Sequence, residues 1–397
     1  MRTALQQQEE QGIGWPDRAT LLLYVIFGAC GVGLVLPGTL LPQLLARWSL
    51  NDGQAGGLLF LFFVGSTAGA LLARGRLSRA IAVGCVLTGA GSAALGMASR
   101  AASAVAVMLL GLGLGITMTA VSLVRSRCRR ASMTAEMARL NLIWALGASV
   151  TPSLLLRSCA AWPLSRVLAC VAAGFVLLGV AAAALVPDTA AASATATRDG
   201  AGSQRGWRPA LQGVPWLLLA MVTLATGVES SAGGWLAAYA RRSGLLLNGT
   251  ISTVTCFWGG LLVSRFAQSH RRLALTSGRV ALRSAPWLAA VALLLLLLPQ
   301  GGATMSAAAF ALGVGVGPMY PLTLSLLLQR GEAGNVAFVA GGVGSSALPL
   351  LTGLVSGYAG SLSAGLLVPL AAAAGMGVLA LLAARAQAPG SSRARSS

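Results

Sequence analysis

The chain has 397 residues, 56% of them hydrophobic and only 9% charged, where a soluble protein carries about 25% charged residues. With a mean hydropathy of +0.78, it falls outside the soluble globular class and reads as a polytopic membrane protein. The formal charge of +19 comes from 28 basic residues, all arginine, against nine acidic ones; the arginines sit in short loops between apolar spans, a pattern of membrane topology rather than of nucleic-acid binding.

Residues 1–18 form a polar, Gln-rich tail in which Trp15 suits the membrane interface. The first span, about 19–45, is too long for a signal-peptide core. Its Gly31, Gly33, Pro37, Gly38 and Pro42 predict a kinked or locally opened helix. The loop Asn51-Asp52-Gly53 leads into the second span, with Asp52 as its expected N-cap. Spans at about 54–73, 80–98, 104–124, 138–156 and 164–186 complete a six-helix bundle over 19–186. Residues 187–212 turn polar and form the one inter-domain linker. Six more spans, at about 213–240, 250–268, 284–299, 303–328, 336–357 and 363–384, build a second bundle over 213–384. The tail 385–397 is Ser/Arg-rich and has the composition of a disordered segment.

The two halves echo each other. Gly69-Ala-Leu-Leu-Ala-Arg74 in span two recurs as Gly260-Leu-Leu-Val-Ser-Arg265 in span eight. Leu112-Gly-Leu-Gly115 in span four matches Leu312-Gly-Val-Gly315 in span ten, and Gly147-Ala-Ser-Val-Thr-Pro152 in span five matches Gly344-Ser-Ser-Ala-Leu-Pro349 in span eleven. Three matches in order, at corresponding spans, argue for a duplicated six-helix unit. Parallel repeats of this kind build transporters with a site at the midplane between the halves.

Glu229 is the only acidic residue placed well inside a span. A carboxyl at that depth costs roughly 2.5–3.5 kcal/mol on insertion scales, so it faces a protein interior or a wet cavity. Thr226, Ala232 and Gly233 share its helical face and leave room beside it. Gly233-Gly234 offers a place to bend, which would swing Trp235 and Tyr239 toward the same space. The plainer alternative is a protonated carboxyl bonded to a neighbouring helix. Asn141 and Trp144 in span five lie three apart on one face, and either bind a solute or glue two helices. Trp258, Thr253 and Thr255 in span eight offer a similar mixture. Tyr320 sits between Pro318 and Pro321, whose missing N–H groups leave carbonyls free to line a cavity. Glu136 and Arg139 are placed to form an ion pair at the entry to span five.

Other chemistries find little support. The six cysteines have no metal or redox spacing. His270, the only histidine, falls in an arginine-rich loop, so neither a histidine metal site nor a Ser-His-Asp triad is available. No cofactor and no enzymatic function are expected. The Gly-x-Gly runs in spans four and ten follow no strand and are not dinucleotide loops. A non-transporting membrane sensor is a further alternative, but it usually carries an added soluble domain.

The six-plus-six pattern, with arginines after spans two and eight, resembles the major facilitator superfamily. Trp48-Ser-Leu-Asn-Asp-Gly-Gln-Ala-Gly56 with Gly65-Ser-Thr-Ala-Gly69, and Leu140-Asn-Leu-Ile-Trp-Ala-Leu-Gly-Ala148, resemble its sugar-permease-like branch, which contains the fucose/proton symporters. Gly227-Val-Glu229 through Gly234-Trp235 and Tyr239, Phe257-Trp-Gly-Gly260, and Gly315-Val-Gly-Pro318 to Tyr320-Pro321 carry the same likeness. The loop motif departs from the superfamily pattern: Ala70-Leu-Leu-Ala-Arg-Gly-Arg-Leu-Ser-Arg79 keeps the arginines but has no aspartate. Fucose-type symporters also use acidic residues in spans one and four, and neither span holds one here.

The resemblance implies an all-α integral membrane protein, with twelve transmembrane helices in two pseudo-symmetric six-helix bundles. It implies a monomeric secondary transporter for a small polar solute, sugar or sugar-like, coupled to protons through Glu229. Asn141, Trp144, Trp235, Tyr239, Trp258 and Tyr320 are the candidate solute-binding residues. An exporter of drugs or amphipathic metabolites by proton antiport is the alternative. Lysine-free, alanine-rich usage fits a GC-rich bacterial genome, so the expected location is the cytoplasmic membrane of a bacterium. Twelve spans put both termini on one side; with that side cytoplasmic, 22 of the 28 arginines lie inside. Single cysteines introduced at Gln387 and Asn248 should then label from opposite sides, Gln387 from the cytoplasm. Labelling of both from outside rules out the twelve-span topology.

Overall fold

The computed structural model describes residues 17–126, 133–186, 216–269, 271–298, 301–328 and 334–386. The expected linker at 187–212, most of the tail at 1–18 and the end of the tail at 385–397 lie outside the described residues. The first half contains α1 (Arg18–Trp48), α2 (Asp52–Leu72), α3 (Leu77–Met97), α4 (Ser103–Ser126), α5 (Met133–Ala161) and α6 (Leu164–Leu185). The second contains α7 (Trp216–Arg242), α8 (Leu247–Ser269), α9 (Arg271–Leu297), α10a (Gly302–Val316) with α10b (Met319–Leu328), α11 (Gly334–Ala359), and α12a (Leu362–Gly365) with α12b (Leu367–Ala386). Twelve columns result, as the spacing predicts. An even number of crossings brings the start of α1 and the end of α12b to the same end of the bundle.

Eleven of the columns are long and apolar enough to cross a membrane. Val105, Leu177, Leu72 and Leu294 are each more than half exposed on helix surfaces. Large apolar surface of this kind, costly in water, is the face that meets lipid. The twelfth column, α8, is 23 residues long but carries Thr250, Thr253, Thr255, Ser264, Arg265 and Gln268. It tolerates them because it packs on α5 and α10a and turns much of its polarity to protein.

Small residues set the packing, since lipid tails offer helices no hydrophobic drive to associate. A Cβ on Gly111 of α4 would fall on the carbonyl oxygen of Phe62 in α2, and one on Gly115 on that of Ser66. In the second half Gly313 meets the carbonyl of Phe257 in α8 in the same way. Gly65 abuts the Met108 carbonyl, and Gly260 abuts that of Phe310. Gly260 thus makes the same kind of contact as Gly65 and as Gly69, which abuts the Leu112 carbonyl. Gly147 and Gly344 do correspond, resting on the carbonyls of Gly28 in α1 and Thr223 in α7.

Three helix pairs carry most of the contact between the halves: α1 with α7, α2 with α11, and α5 with α8. Gly38 of α1 lies against the Gly233 carbonyl of α7; Gly56 of α2 lies against Pro349 and Leu350 of α11. Ser153 of α5 shares a 3.3 Å hydrogen bond with Thr255 of α8.

Three local expectations change. The α2 N-cap is Asn51, whose side chain and that of Gln54 form a reciprocal capping box. Asp52 is the first helical residue, so its carboxylate is free to reach across to the other half. Helix α1 is not opened at Pro37 or Pro42 but continues through both. Glu136 is buried, and its nearest basic partner is Arg125 of α4 at 2.6 Å, with Arg139 at 3.5 Å. Tyr24 of α1 donates to the same carboxylate at 2.6 Å. The expected pair at the entry to α5 is thus one edge of a three-helix cluster.

The glycine contacts are testable. Gly111→Leu presses a side chain onto a backbone carbonyl that cannot move aside, and should cost about 1–3 kcal/mol. Gly174 of α6 has open space within 4 Å of an added Cβ, so Gly174→Leu should unfold in detergent at the wild-type temperature while Gly111→Leu unfolds several degrees lower. Equal unfolding temperatures for the two variants would remove the packing account.

Candidate functional site

A cavity of about 700 Å³ lies between the halves, within the size range of small-molecule sites. Helices α1, α2, α4, α5, α7, α8, α10b and α11 all contribute to its wall. The lining runs from the middle of the helices, at Gly38, Leu59, Gly234 and Trp258, toward the end that carries the described chain termini, at Ala70, Met137, Gln268 and Ser325. No lining residue comes from the outermost turns of the opposite end. Among the described residues the cavity thus extends toward one end only and is closed toward the other.

Glu229 stands in this wall. Its carboxylate oxygens lie 3.1 and 3.2 Å from one nitrogen of Arg265, Nη2. Both side chains are largely buried, at 16% and 9% exposure, so removing either partner leaves an uncompensated charge, which typically costs about 3–5 kcal/mol. The Arg265 guanidinium also lies 4.7 Å from the ring centroid of Trp144, a cation–π contact across the two halves. Trp144 meets Trp258 edge to face, with centroids 5.9 Å apart. Three donors at this wall are buried without a hydrogen-bond partner: Arg265 Nε, Trp144 Nε1 and Trp258 Nε1. Buried polar groups rarely stay unpaired unless something else satisfies them.

Asn141 lies one helical turn from Trp144 and lines the same wall, as does Tyr320. Tyr320 arrives there because the tenth column breaks at Gly317-Pro318, between α10a and α10b; proline supplies no N–H to continue the ladder. Glu229, Asn141, Trp144, Trp258 and Tyr320 are thus brought together. Trp235 and Tyr239 are not. Trp235 is fully buried and donates to the Pro349 carbonyl at 3.0 Å, and Tyr239 donates to the Leu296 carbonyl at 2.6 Å. Both hold α7 in its packing, and neither lines the cavity. The reason lies at Gly233-Gly234: α7 is continuous there, and the glycine pair makes room for Trp258 of α8 and Leu59 of α2 rather than opening the helix.

The opposite end is closed by charge as well as by contact. Asp52, at the start of α2, takes both guanidinium ends of Arg242 at the close of α7, at 2.7 and 2.5 Å. Ser356 of α11 donates a short hydrogen bond to the same carboxylate. This latch ties the first half to the second.

No family model matches the chain, and no curated protein sequence does. Solved structures do. A peptide transporter of the POT type in complex with sulfate aligns over 94% of this chain and 96% of its own, with a TM-score of 0.71 at 15% identity. The fucose:proton symporter of E. coli aligns over 91% of this chain and 97% of its own, with a TM-score of 0.60 at 17% identity. A fucose-symporter structure in the outward conformation, described as a major facilitator transporter, gives 0.58 at 19% identity. The chain is a multi-pass membrane protein with the major facilitator fold.

Arg265 is the main site residue that the sequence reading passes over, because it sits in a repeated phrase that reads as a loop arginine. Its spacing carries the signal: seven residues after Trp258, it shares that residue's helical face. Asn141→Ala and Trp144→Ala should each weaken solute binding about tenfold or more while the protein stays folded in the membrane. Binding titrations on purified variants check this; lost folding with unchanged affinity in the folded fraction would make both residues packing elements.

Proposed function

We propose that the protein is a secondary transporter, moving a small polar solute, sugar or sugar-like, by alternating access, with Glu229 as the proton-coupling group. The observation that carries the reading is Glu229 itself: an acidic side chain at mid-helix, in the wall of a cavity open on one side, held by an arginine from the next helix. A carboxylate kept at such cost reads as functional. The fold's likeness to a fucose:proton symporter and to a peptide transporter supports transport as the activity.

The steps follow from what opens and what closes. With the termini in the cytoplasm, the cavity faces inward, and the Asp52–Arg242–Ser356 latch shuts the outer side. Rocking the halves must break that latch and separate Gly38 from Gly233, while the inner ends of α2, α5, α8 and α11 come together. Glu229 and Arg265 both belong to the second half and travel together, whereas Trp144 stays with the first. Glu229 thus meets water from alternate sides, taking a proton from one and giving it to the other. The flat faces of Trp144 and Trp258 with the amide of Asn141 suit a ring-shaped, hydroxylated solute. Phe62, Phe63, Met118, Met137, Leu324 and Phe338 make much of the wall apolar, which favours export of an amphipathic metabolite as the second reading.

Glu229→Gln keeps shape and most hydrogen bonding but cannot ionise. In proteoliposomes it should abolish accumulation driven by a pH gradient and retain solute exchange in the absence of one. Accumulation by the variant at the wild-type level would make Glu229 structural and the protein a uniporter, or one coupled elsewhere.

A further inference from the structure

We infer that the solute is a small monocarboxylate whose carboxylate is received by Arg265, so that it crosses together with the proton on Glu229 as a neutral pair. The inference rests on the transporter reading above and adds to it the charge of the cargo.

Charge accounting at the cavity wall leads there. Among the described lining residues, Glu229 and Arg265 are the only charged ones, and together they are neutral. Tyr320 is the one other titratable side chain among the described lining residues. Helices α1 and α11 face the cavity with apolar and small residues, and α5 with Met137, Ala138, Asn141 and Trp144. A proton placed on Glu229 therefore leaves Arg265 as an uncompensated cation, and no other acidic group among the described lining residues replaces the lost charge. A neutral solute does nothing about this. A monoanion restores neutrality as the proton arrives, so the two bind cooperatively by linkage.

The geometry of Arg265 fits that exchange. Glu229 engages the guanidinium through Nη2 alone, with both its oxygens. Nε is buried and unpartnered, and the side chain is nine-tenths buried. The edge formed by Nε and Nη2 is the fork that takes a carboxylate by two parallel hydrogen bonds. An incoming carboxylate gains the unused Nε donor, and a protonated Glu229 gives up Nη2 readily. Trp144, stacked against the guanidinium at 4.7 Å, keeps that plane in place during the exchange. The unpartnered indole N–H groups of Trp144 and Trp258 are two further donors for oxygens on the cargo.

The test uses matched pairs in which one member is a neutral hexose and the other its uronic or aldonic acid: glucose against glucuronate, and glucose against gluconate. Thermal stabilisation of the purified full chain is read with each at mildly acidic and mildly alkaline pH. Uptake into proteoliposomes is then driven by a pH gradient, with and without an inside-negative potassium diffusion potential. The acids should stabilise the protein, bind about tenfold more tightly at the acidic pH, and enter at a rate the potential does not change, because the transported pair is uncharged. Glu229→Gln should bind the acid at alkaline pH as tightly as the wild type does at acidic pH, a gain that needs a folded site. Arg265→Gln should lose the binding. Stabilisation by the hexose alone, or by no member of a pair, overturns the inference. Hexose uptake that speeds up with the potential also overturns it, and leaves proton-coupled sugar transport standing. Acid binding as expected with no uptake of either member upholds the carboxylate site and sinks the transporter reading instead.

Discussion

In a bilayer, helices gain nothing by hiding apolar surface from lipid, and what holds them is close approach of one backbone to another. Nearly every crossing in this protein is built on that. The carbonyls of Phe62, Ser66, Phe257 and Phe310 sit where glycines of α4, α10a and α8 have no side chain. Such contacts tolerate no added atom, yet each is flat and without interlocking side chains. The same surfaces that fix the helices within a half can therefore slide between halves. At Gly38 and Gly233, where α1 crosses α7, such a contact joins the two halves at the cavity wall.

Against this neutral background, three charge clusters divide the structure by depth. Glu136, Arg125 and Tyr24 pin α1, α4 and α5 together within the first half. Asp52, Arg242 and Ser356 tie the two halves at the closed end. Glu229 and Arg265 lie between, inside one half and facing the cavity. A pair within one half survives a movement of the halves, whereas a pair between them does not. The clusters thus sort by what they hold: one bundle, the two halves together, and a cavity wall.

Much of this was legible in the sequence, for physical reasons that also explain what was not. Span count and duplication are periodic, composition-level properties, and a membrane leaves few alternatives to helices. Glu229 stands out because a carboxyl at that depth is costly unless a protein partner or a wet cavity receives it. Trp235 and Tyr239 lie on the same stretch but turn away from the cavity, and only the neighbours that accept their hydrogen bonds, Pro349 and Leu296, decide that. Asp52 looked like a cap because Asn51 and Asp52 are both capping residues; what separates them is an arginine 190 positions away. Arg265 was hidden by company, since one arginine among many at span ends carries no mark of burial. Long-range pairing of charges is the information that a single sequence withholds.

The latch at the closed end has a consequence for the medium outside it. Asp52 is nearly covered, but the Arg242 side chain is 45% exposed, so the pair meets whatever electrolyte bathes that surface. Screening over about 8–10 Å at physiological ionic strength weakens a half-exposed pair far more than a buried one. Glu229 and Arg265, deeper and drier, are spared. Ionic strength at that surface thus bears on how firmly the two halves are held at the closed end, without touching the pair at the cavity wall.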